Sequence, residues 1–503
     1  MNGKIYMEVS MKDKIFEILE KKKAFDHAIA LLHWDLETEA PKKAVEKIAA
    51  TMGFLSAESY SLIINDDFKN MLYNIETESL SDLDKKVIET LRKDFEKLEK
   101  IPKEEYVEYS QLTVEATSKW EEAKNADDFD IFKPYLEKII NFNKRFINYR
   151  GYKDHPYNTL LDDYEEGMTV EKTDEFFKKI KQELIPLIKK INTVNKSNNK
   201  LKGVFSVDKQ KEFSKFLAEY IGFDFSKGVI KESEHPFTLN FDNKDVRITT
   251  HYYENDPLSA VFSTIHEGGH AIYEQNIKDE ISKTILGEGT SMGVHESQSR
   301  MYENMFGRNL NFWIPVYPKL QEKFPEELGD ISLEKFYRIV NDSKSSLIRI
   351  EADELTYPIH VLIRYELEKE IFETDTDVNE LPKKWADKYE EYLGIRPETF
   401  REGILQDVHW SGGSFGYFSS YALGSAYASQ FYHAMCAEFD VEKELKNGSF
   451  EKINAYLREN IHQYGKYKNP EELIMDTTKE KFNPNYYINY LREKYGKLYV
   501  LCN

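Results

Sequence analysis

Cysteine is scarce in this chain of 503 residues. Only Cys436 and Cys502 occur, which is too few for a disulfide framework or for a metal site built from thiolates. The N-terminal segment, residues 1–25, has no apolar stretch followed by a cleavage site of small residues, so we expect no secretory signal. These absences predict a reducing, cytoplasmic environment.

Long apolar runs and excess positive charge are also missing. No stretch approaches the roughly 18 consecutive apolar residues of a membrane-spanning helix. The net charge is −20 and the sequence pI is about 5.2. An acidic surface repels both nucleic acid phosphates and anionic lipid headgroups. We therefore expect neither nucleic acid nor a membrane as a partner.

Helical periodicity is what the sequence has in abundance. Apolar residues recur at helical steps in two clear stripes, Leu83, Val87, Leu91, Phe95, Leu98 and Phe176, Ile180, Leu184, Leu187. These stripes indicate long helices with one buried face. We find no repeat and no low-complexity linker, and the polar residues 195–202 predict a loop. The sequence thus predicts a mainly α-helical protein with residues 1–503 in one large domain, either undivided or split into two lobes.

One segment alternates instead, as strands do. Phe237, Leu239 and Phe241 alternate with polar residues, and after the turn-like residues 242–244 the alternation resumes through Val246, Ile248 and Thr250. This pattern predicts a β-hairpin. A single hairpin is only marginally stable in water, so we expect it to pack on helices.

A metal site is predicted just after the hairpin. His266 and His270 are four residues apart, so a helix presents both imidazoles on one side, where they can hold Zn²⁺. Glu267, displaced by one residue, can take a proton from water at the metal. Gly268 and Gly269 each cost a helix about 1 kcal/mol. Their presence predicts that substrate or a neighbouring strand approaches the backbone closely.

A catalytic zinc needs a third protein ligand. Glu296 lies 26 residues after His270, enough for one helix to end, a glycine-rich turn to form and a second helix to return. Spacing alone favours Glu296 only modestly over Glu274 or Glu303. His295 is a rival ligand or a group that contacts substrate.

Several motifs together resemble a known family, the thermostable carboxypeptidases named after carboxypeptidase Taq. The matching motifs are His235-Pro236-Phe237, Asp245-Val246-Arg247-Ile248-Thr249, His266 to His270, His295-Glu296-Ser297 and the segment from Gly403 to Trp410 that contains Gln406-Asp407-Val408-His409-Trp410. Residues 31–41 and 120–134 are also similar. The chain departs from the family at Ser419, where proline is common, and this change affects none of the chemical groups.

The resemblance implies a fold and an activity. The fold is a large multi-helix zincin like neurolysin and angiotensin-converting enzyme, with a deep groove and a small β-sheet at the active site. The activity is release of single amino acids from the C-termini of peptides, with broad specificity and poor action at proline. The implied zinc ligands are His266, His270 and Glu296; Co²⁺ or Mn²⁺ can also fill such a site. Family members are commonly homodimers.

Two tyrosines and an arginine have implied roles. Tyr417 and Tyr421 are candidates to donate to the oxyanion, and similarity to angiotensin-converting enzyme favours Tyr417. Each is otherwise a core ring with a satisfied hydroxyl. Arg349 matches the family position that binds the substrate carboxylate, which suits the planar guanidinium. Its alternative role is a helix-surface ion pair with neighbouring acids at 351 or 353.

Three further candidates for substrate binding have structural alternatives. His235 and His409 are candidates to contact substrate or support the metal site, and His409 beside Trp410 is equally consistent with a buried structural pair. Arg247 either contacts substrate or pairs with Asp245 to brace its strand. The strand around residues 247–251 is a candidate to bind the substrate backbone by strand addition.

Two other functions compete with a metallocarboxypeptidase. One is a zinc endo-oligopeptidase of the neurolysin kind, which would share fold and metal chemistry; the Gln406–Trp410 motif and Arg349 favour the carboxypeptidase. The other is a non-catalytic helical binding protein. Retention of Glu267 together with the three ligands argues against that interpretation.

Overall fold

A computed structural model describes residues 10–195 and 200–500. Residues 1–9, residues 196–199 of the predicted loop at 195–202, and Cys502 therefore lie outside the described residues. The first half consists of α1 (Met11–Thr38), α2 (Val45–Ile63), α3 (Asp66–Asn74), α4 (Asp82–Glu99), α5 (Lys103–Ala126), α6 (Phe129–Arg150), α7 (Asn158–Tyr164), α8 (Val170–Val194), α9 (Val207–Ile221), β1 (Ile230–Glu232), β2 (Thr238–Asp242) and β3 (Asp245–Thr250).

The second half is helical. It consists of α10 (Pro257–Gln275), α11 (Asp279–Ser282), α12 (Met292–Arg300), a π-helix (Met301–Phe306), α13 (Leu310–Lys323), α14 (Pro325–Leu328), α15 (Leu333–Val340), α16 (Tyr357–Glu373), α17 (Leu381–Leu393), α18 (Phe418–Glu438), α19 (Val441–Asn447), α20 (Glu451–Asn460), α21 (Pro470–Thr478) and α22 (Asn485–Leu498). The prediction of a mainly α fold is confirmed.

The two apolar stripes form helices as predicted. In α4, Val87, Leu91 and Phe95 are buried, and Ser81 caps the helix by accepting the backbone N–H of Asp84. In α8 the buried face is even longer, and Thr169 is its N-cap. The spacing of the apolar residues therefore predicted correctly both that each segment is a helix and which side of that helix is buried.

The hairpin prediction is confirmed, but the sheet has a third strand. β2 and β3 pair antiparallel, while β1 pairs parallel with β3, giving the order β1-β3-β2. β1 spans only three residues, too few for alternation to reveal it. The prediction of strand addition at residues 247–251 is wrong, because β3 is the central strand and both of its edges are paired. The free edge beside the cavity belongs to β2.

A deep cavity of about 1280 Å³ runs beside the sheet. β2, α10, α12 and α18 line its inner part, while α4 and α7 line the part nearer the N-terminal helices. A small apolar core joins α1, α3 and α4 to Ile277, Ile281 and Leu286, apart from the main core. Among the helices of residues 10–195 and 200–500, none is long and apolar enough to cross a membrane.

Candidate active site

α10 brings the two predicted histidines to the cavity. The helix begins with Pro257, whose missing N–H costs nothing at the first turn. Val261 and Ile265 are buried in the main core, so the opposite face of the helix faces the cavity. His266, Glu267 and His270 line that cavity.

The glycine pair in α10 allows two helices to approach closely. A Cβ atom at Gly269 would lie 2.9 Å from the Cα of Ser299 in α12, and one at Gly268 would lie 2.6 Å from Cδ1 of Ile221 in α9. A close approach was predicted correctly, but its predicted source was wrong. The space next to these two glycines is occupied by helices α12 and α9, and not by a strand or by substrate.

α12 brings Glu296 back to the histidines. Its carboxylate Oε2 lies 3.8 Å from Nε2 of His266 and 3.5 Å from Nε2 of His270. Arg300, one turn later, donates Nε to the other oxygen, Oε1, at 2.7 Å. Burial opposes ionisation of Glu296, but Arg300 and the two histidines outweigh it and hold the pKa of this carboxyl well below its usual range.

The three side chains fit a divalent metal ion. One donor atom from each of His266, His270 and Glu296 lies within 4.8 Å of the others, and this is the one such group among the described residues. Donors around a tetrahedral zinc with bonds near 2.0–2.1 Å are separated by about 3.3 Å. The separation between Oε2 of Glu296 and Nε2 of His270, 3.5 Å, is close to that value.

The rival ligands lie on the outer sides of the imidazole rings. Glu303 contacts Nδ1 of His266 at 2.9 Å, and His295 contacts Nδ1 of His270 at 2.5 Å. Glu274 lies one residue further out, where it contacts Nε2 of His295 at 2.6 Å. These three residues therefore support the imidazoles from behind and do not share their inner face.

Glu267 lies between the histidines and the sheet. Its Oε2 accepts the hydroxyl of Thr238, on β2, at 2.6 Å. Burial raises the pKa of Glu267 above its ordinary value, although the neighbouring His266 opposes this. A carboxyl group in this setting holds a proton more readily than one in water.

The two candidate tyrosines both line the cavity near the start of α18. Their rings are perpendicular, with centroids 5.0 Å apart. Tyr421 contacts Nε2 of His409 through its hydroxyl at 3.1 Å. Burial raises the pKa of Tyr417 to about 12 and holds that of Tyr421 well above its ordinary value, so both hydroxyls are protonated donors at neutral pH.

Arg349 is buried and held from one side. It donates Nε to Oδ1 of Asp407 at 3.0 Å and Nη1 to the hydroxyl of Tyr357 at 3.0 Å. Arg364 occupies the other oxygen of Asp407 at 2.7 Å. The alternative of a helix-surface ion pair is wrong, because Arg349 is 6% exposed in a 3₁₀ turn. Its guanidinium lies 4.8 Å from the ring centroid of Tyr421, just behind the cavity wall.

The remaining candidates are more peripheral. His235 is exposed and precedes Pro236, which lines the cavity. Arg247 pairs with Asp245 through Nε at 2.8 Å and Nη2 at 2.7 Å. This is the geometry of the strand-bracing alternative, and neither residue lines the cavity.

His409 is almost buried behind the tyrosines, and burial lowers its pKa to about 4. Its Nδ1 has no hydrogen-bond partner among the described residues. The neighbouring Trp410 points elsewhere and donates Nε1 to Glu368 at 2.6 Å. The two residues are therefore not a structural pair with each other.

Sequence reasoning missed two contacts of the site. Thr238, which holds Glu267, is one of the alternating residues of β2 and lines the cavity with Asn240. Because side chains two residues apart in a strand lie on the same face of the sheet, the alternation in β2 could have predicted that Thr238 and Asn240 share a face. Gly424 packs against Glu296, and a lone glycine in an apolar helix gave no comparable signal.

Comparison with known proteins places this geometry in context. The family described as carboxypeptidase Taq (M32) metallopeptidase matches residues 14–495. Carboxypeptidase 1 of Bacillus subtilis (strain 168) is 47% identical over 505 residues, covering 98% of this chain and 100% of that protein. Thermostable carboxypeptidase 1 of Pyrococcus furiosus is 35% identical over 497 residues, and the match covers 97% of this chain and 99% of that protein. The crystal structure of the M32 carboxypeptidase from Deinococcus radiodurans R1 has a TM-score of 0.94 at 34% identity, covering 98% of this chain and 100% of that one.

Proposed function

Because the chain belongs to the carboxypeptidase Taq (M32) metallopeptidase family and is a metallocarboxypeptidase, we propose that His266, His270 and Glu296 hold its metal and that this metal is zinc. The observation that carries the proposal is the convergence of one donor atom from each residue at the cavity wall. Co²⁺ and Mn²⁺ are the expected substitutes, since a His₂Glu set does not select by affinity alone. When bound, the metal supplies Lewis acidity to water and to the peptide carbonyl.

Glu267 acts as the general base and then as the acid for the leaving amine. Thr238 holds its Oε2, which leaves Oε1 to take a proton from water. Burial favours the protonated carboxyl, so the proton can be kept until the amine departs. The same residue thus handles both proton transfers of the hydrolysis.

Tyr417 and Tyr421 donate to the oxyanion that develops on the scissile carbonyl. Both hydroxyls keep their protons at neutral pH because burial raises their pKa values. Tyr417 is the stronger candidate, since the Tyr421 hydroxyl is already in contact with His409.

Arg349 captures the terminal carboxylate of the peptide. An arginine has five N–H donors, and contacts of Nε, Nη1 and Nη2 with Asp407 and Tyr357 use three of them. Two donors remain for substrate, and the acid behind the guanidinium keeps its plane fixed. The ring of Tyr421 lies against the guanidinium of Arg349. It must therefore move aside before the substrate carboxylate can reach the guanidinium.

His235, Arg247 and His409 assist binding from around this site. His235 is at the rim beside Pro236, where it is accessible to a peptide. His409 supports substrate contacts through Tyr421, and Arg247 acts indirectly by bracing the sheet through Asp245.

The chain also forms a homodimer. Exposed apolar side chains on α1 and α2, including Leu31, Val45 and Phe54, provide a surface for self-association. Light scattering of the purified protein tests this proposal, and a monomer would reject it.

The protein works in the cytoplasm and folds as one domain with two lobes beside the groove. Cell fractionation tests the location, and finding the protein secreted would reject it. Calorimetry tests the single domain: one unfolding transition is expected, and two separate transitions would reject it.

Mass-spectrometric ladder sequencing of a mixed peptide pool tests the activity directly. Loss of one residue at a time from free C-termini is the expected result, with little cleavage of peptides whose C-termini are blocked. Internal cleavage of blocked peptides would instead support the endo-oligopeptidase.

A further inference from the structure

The two histidines of the proposed metal site are supported in different ways. Nδ1 of His266 contacts the carboxylate of Glu303 at 2.9 Å, a common partner for a metal-binding imidazole. His270 has a second imidazole in that place. Its Nδ1 lies 2.5 Å from Nδ1 of His295, and Nε2 of His295 lies 2.6 Å from Oε1 of Glu274.

Glu274 is the end of this row of contacts that is farthest from His270, and its other partners indicate the direction of the hydrogen bonds in the row. Oε1 of Glu274 accepts the backbone N–H of Gly289 at 2.9 Å, and Oε2 accepts the side-chain amide of Asn240 at 2.5 Å. Because a backbone N–H can only donate, Oε1 is an acceptor. Both oxygens of Glu274 thus accept, as those of a carboxylate do, and Nε2 of His295 carries the proton in its contact with Oε1.

The same logic continues to the metal position. When His295 is neutral and its proton is on Nε2, Nδ1 has a lone pair, and in that state Nδ1 of His295 accepts. Nδ1 of His270 must then donate. This leaves Nε2 of His270 without a proton, and that nitrogen faces Glu296 Oε2 at 3.5 Å, where the metal would bind.

We propose that His295 and Glu274 form a relay that fixes the tautomer of His270 and thereby strengthens metal binding. The inference rests on the proposed metal site. His295 is a positioning residue, since it reaches the metal position through His270. Its role therefore differs from both roles considered for it on sequence grounds, a ligand or a substrate contact.

The surrounding chain is shaped around this relay. A Cβ atom at Gly289 would lie 2.5 Å from Cδ2 of His295, so a side chain at that position would displace the ring. Tyr273 packs beside the same ring, with ring centroids 5.3 Å apart. Glu274 is 2% exposed, which keeps water from competing for its oxygens.

The test compares His295 with a second histidine that also packs on Tyr273. His462 is fully buried, with its ring 5.1 Å from Tyr273, and its Nε2 contacts Gln298 at 2.9 Å. Its two ring nitrogens contact Asn276 and Gln298, and neither of these residues is a proposed ligand. His462→Phe therefore matches His295→Phe in the substitution made and in the ring that the histidine contacts, but it leaves the relay intact.

The primary measurement is the zinc dissociation constant, obtained by competition with a chromophoric chelator at fixed pH. Loss of such a supporting partner typically weakens metal binding by about 10- to 100-fold, and we expect this for His295→Phe. His295→Asn should recover part of the loss, because its amide oxygen can accept from His270. His462→Phe should bind zinc within about twofold of the wild type. Equal affinity of wild type and His295→Phe would overturn the relay.

A second measurement keeps the proposal falsifiable if a variant does not fold. Side-chain ¹⁵N shifts of the zinc-loaded wild type should report His295 with its proton on Nε2 only; a proton on its Nδ1 would overturn the relay. His270→Ala separates the two claims. If it binds zinc like the wild type, the metal site itself is wrong, whereas loss of zinc there with an unchanged His295→Phe rejects the relay alone.

Discussion

Gly424 of α18 has no room for a side chain because Glu296 of α12 occupies that space. A Cβ atom at Gly424 would lie 2.6 Å from both Cβ and Cγ of Glu296. The backbone of α18 thus supports the third proposed ligand from behind, while Arg300 holds its carboxylate from the side. Packing and charge together set the position of this donor.

Gly424→Ala should therefore displace Glu296 and weaken zinc binding by about tenfold or more, the range seen when the support of a ligand is lost. Gly53→Ala is the matched control, since a Cβ atom on this glycine of α2 would meet, outside its own helix backbone, no atom of the described residues within 4 Å. The control should keep its zinc affinity, and added helix propensity should stabilise it slightly. Zinc affinity at the wild-type level in Gly424→Ala would show that Glu296 does not depend on this contact.

Removing the tyrosine hydroxyls tests the oxyanion assignment. Tyr417→Phe should lower kcat by roughly 10²–10³-fold with little change in KM, as expected for a donor that acts in the transition state. Tyr421→Phe should cost less, because its hydroxyl already contacts His409. Steady-state kinetics on one peptide decide between them, and the reverse order would transfer the role to Tyr421.

Arg349 should matter only when the substrate has a free carboxylate. Arg349→Ala should lower kcat/KM for a free-acid peptide by roughly 30- to several-thousand-fold, the cost of a lost charge-assisted pair. The amidated peptide, already a poor substrate, should lose much less. Arg349→Lys should recover only part, because a point charge does not reproduce the guanidinium fork.

The control for that comparison is Arg364→Lys. Arg364 pairs with the other oxygen of Asp407 and is fully buried, so its loss should affect acid and amide peptides alike. Equal losses on both peptides for Arg349→Ala would mean that Arg349 is structural.

Glu165 predicts a pH dependence of stability. This carboxyl accepts the backbone N–H of Gly293 at the start of α12, at 3.0 Å, and burial raises its pKa to about 7. The unfolded value is about 4.3. The contribution of a group with a raised folded pKa is fully present below its unfolded pKa and is lost as pH rises through about 7.

Glu165→Gln stays neutral at every pH and should escape that loss. Its stability relative to the wild type should therefore improve from pH 5 to pH 8, by at most about 2.5 kcal/mol. Thermal unfolding at both pH values measures the difference. A gap between variant and wild type that does not change with pH would contradict the ionisation of Glu165.

The local parts of the site were predictable from sequence because their geometry is local. Helical spacing alone puts His266 and His270 on one face, and α10 has that face toward the cavity. Glu296 needed the family resemblance, since spacing alone left Glu274 and Glu303 open. Only the packed helices reveal that these two support the histidine rings from outside.

Long-range pairing explains what the sequence did not reveal. Arg349 and Asp407 are 58 residues apart along the chain, and no local sequence pattern in either segment predicts their ion pair. The same holds for β1, whose three residues gain their strand conformation from pairing with β3. That pairing also makes β3 a central strand, which is why strand addition there was predicted wrongly.

Metal titration of the metal-depleted wild type and of Glu267→Gln separates metal binding from proton transfer by Glu267. Both proteins should take up one zinc per chain, since Glu267 is outside the donor set. Release of C-terminal residues by the wild type should rise in proportion to bound zinc, while Glu267→Gln should remain about 10²–10⁴-fold slower at full occupancy. Full activity of the metal-free wild type, or near wild-type kcat in zinc-loaded Glu267→Gln, would contradict the account.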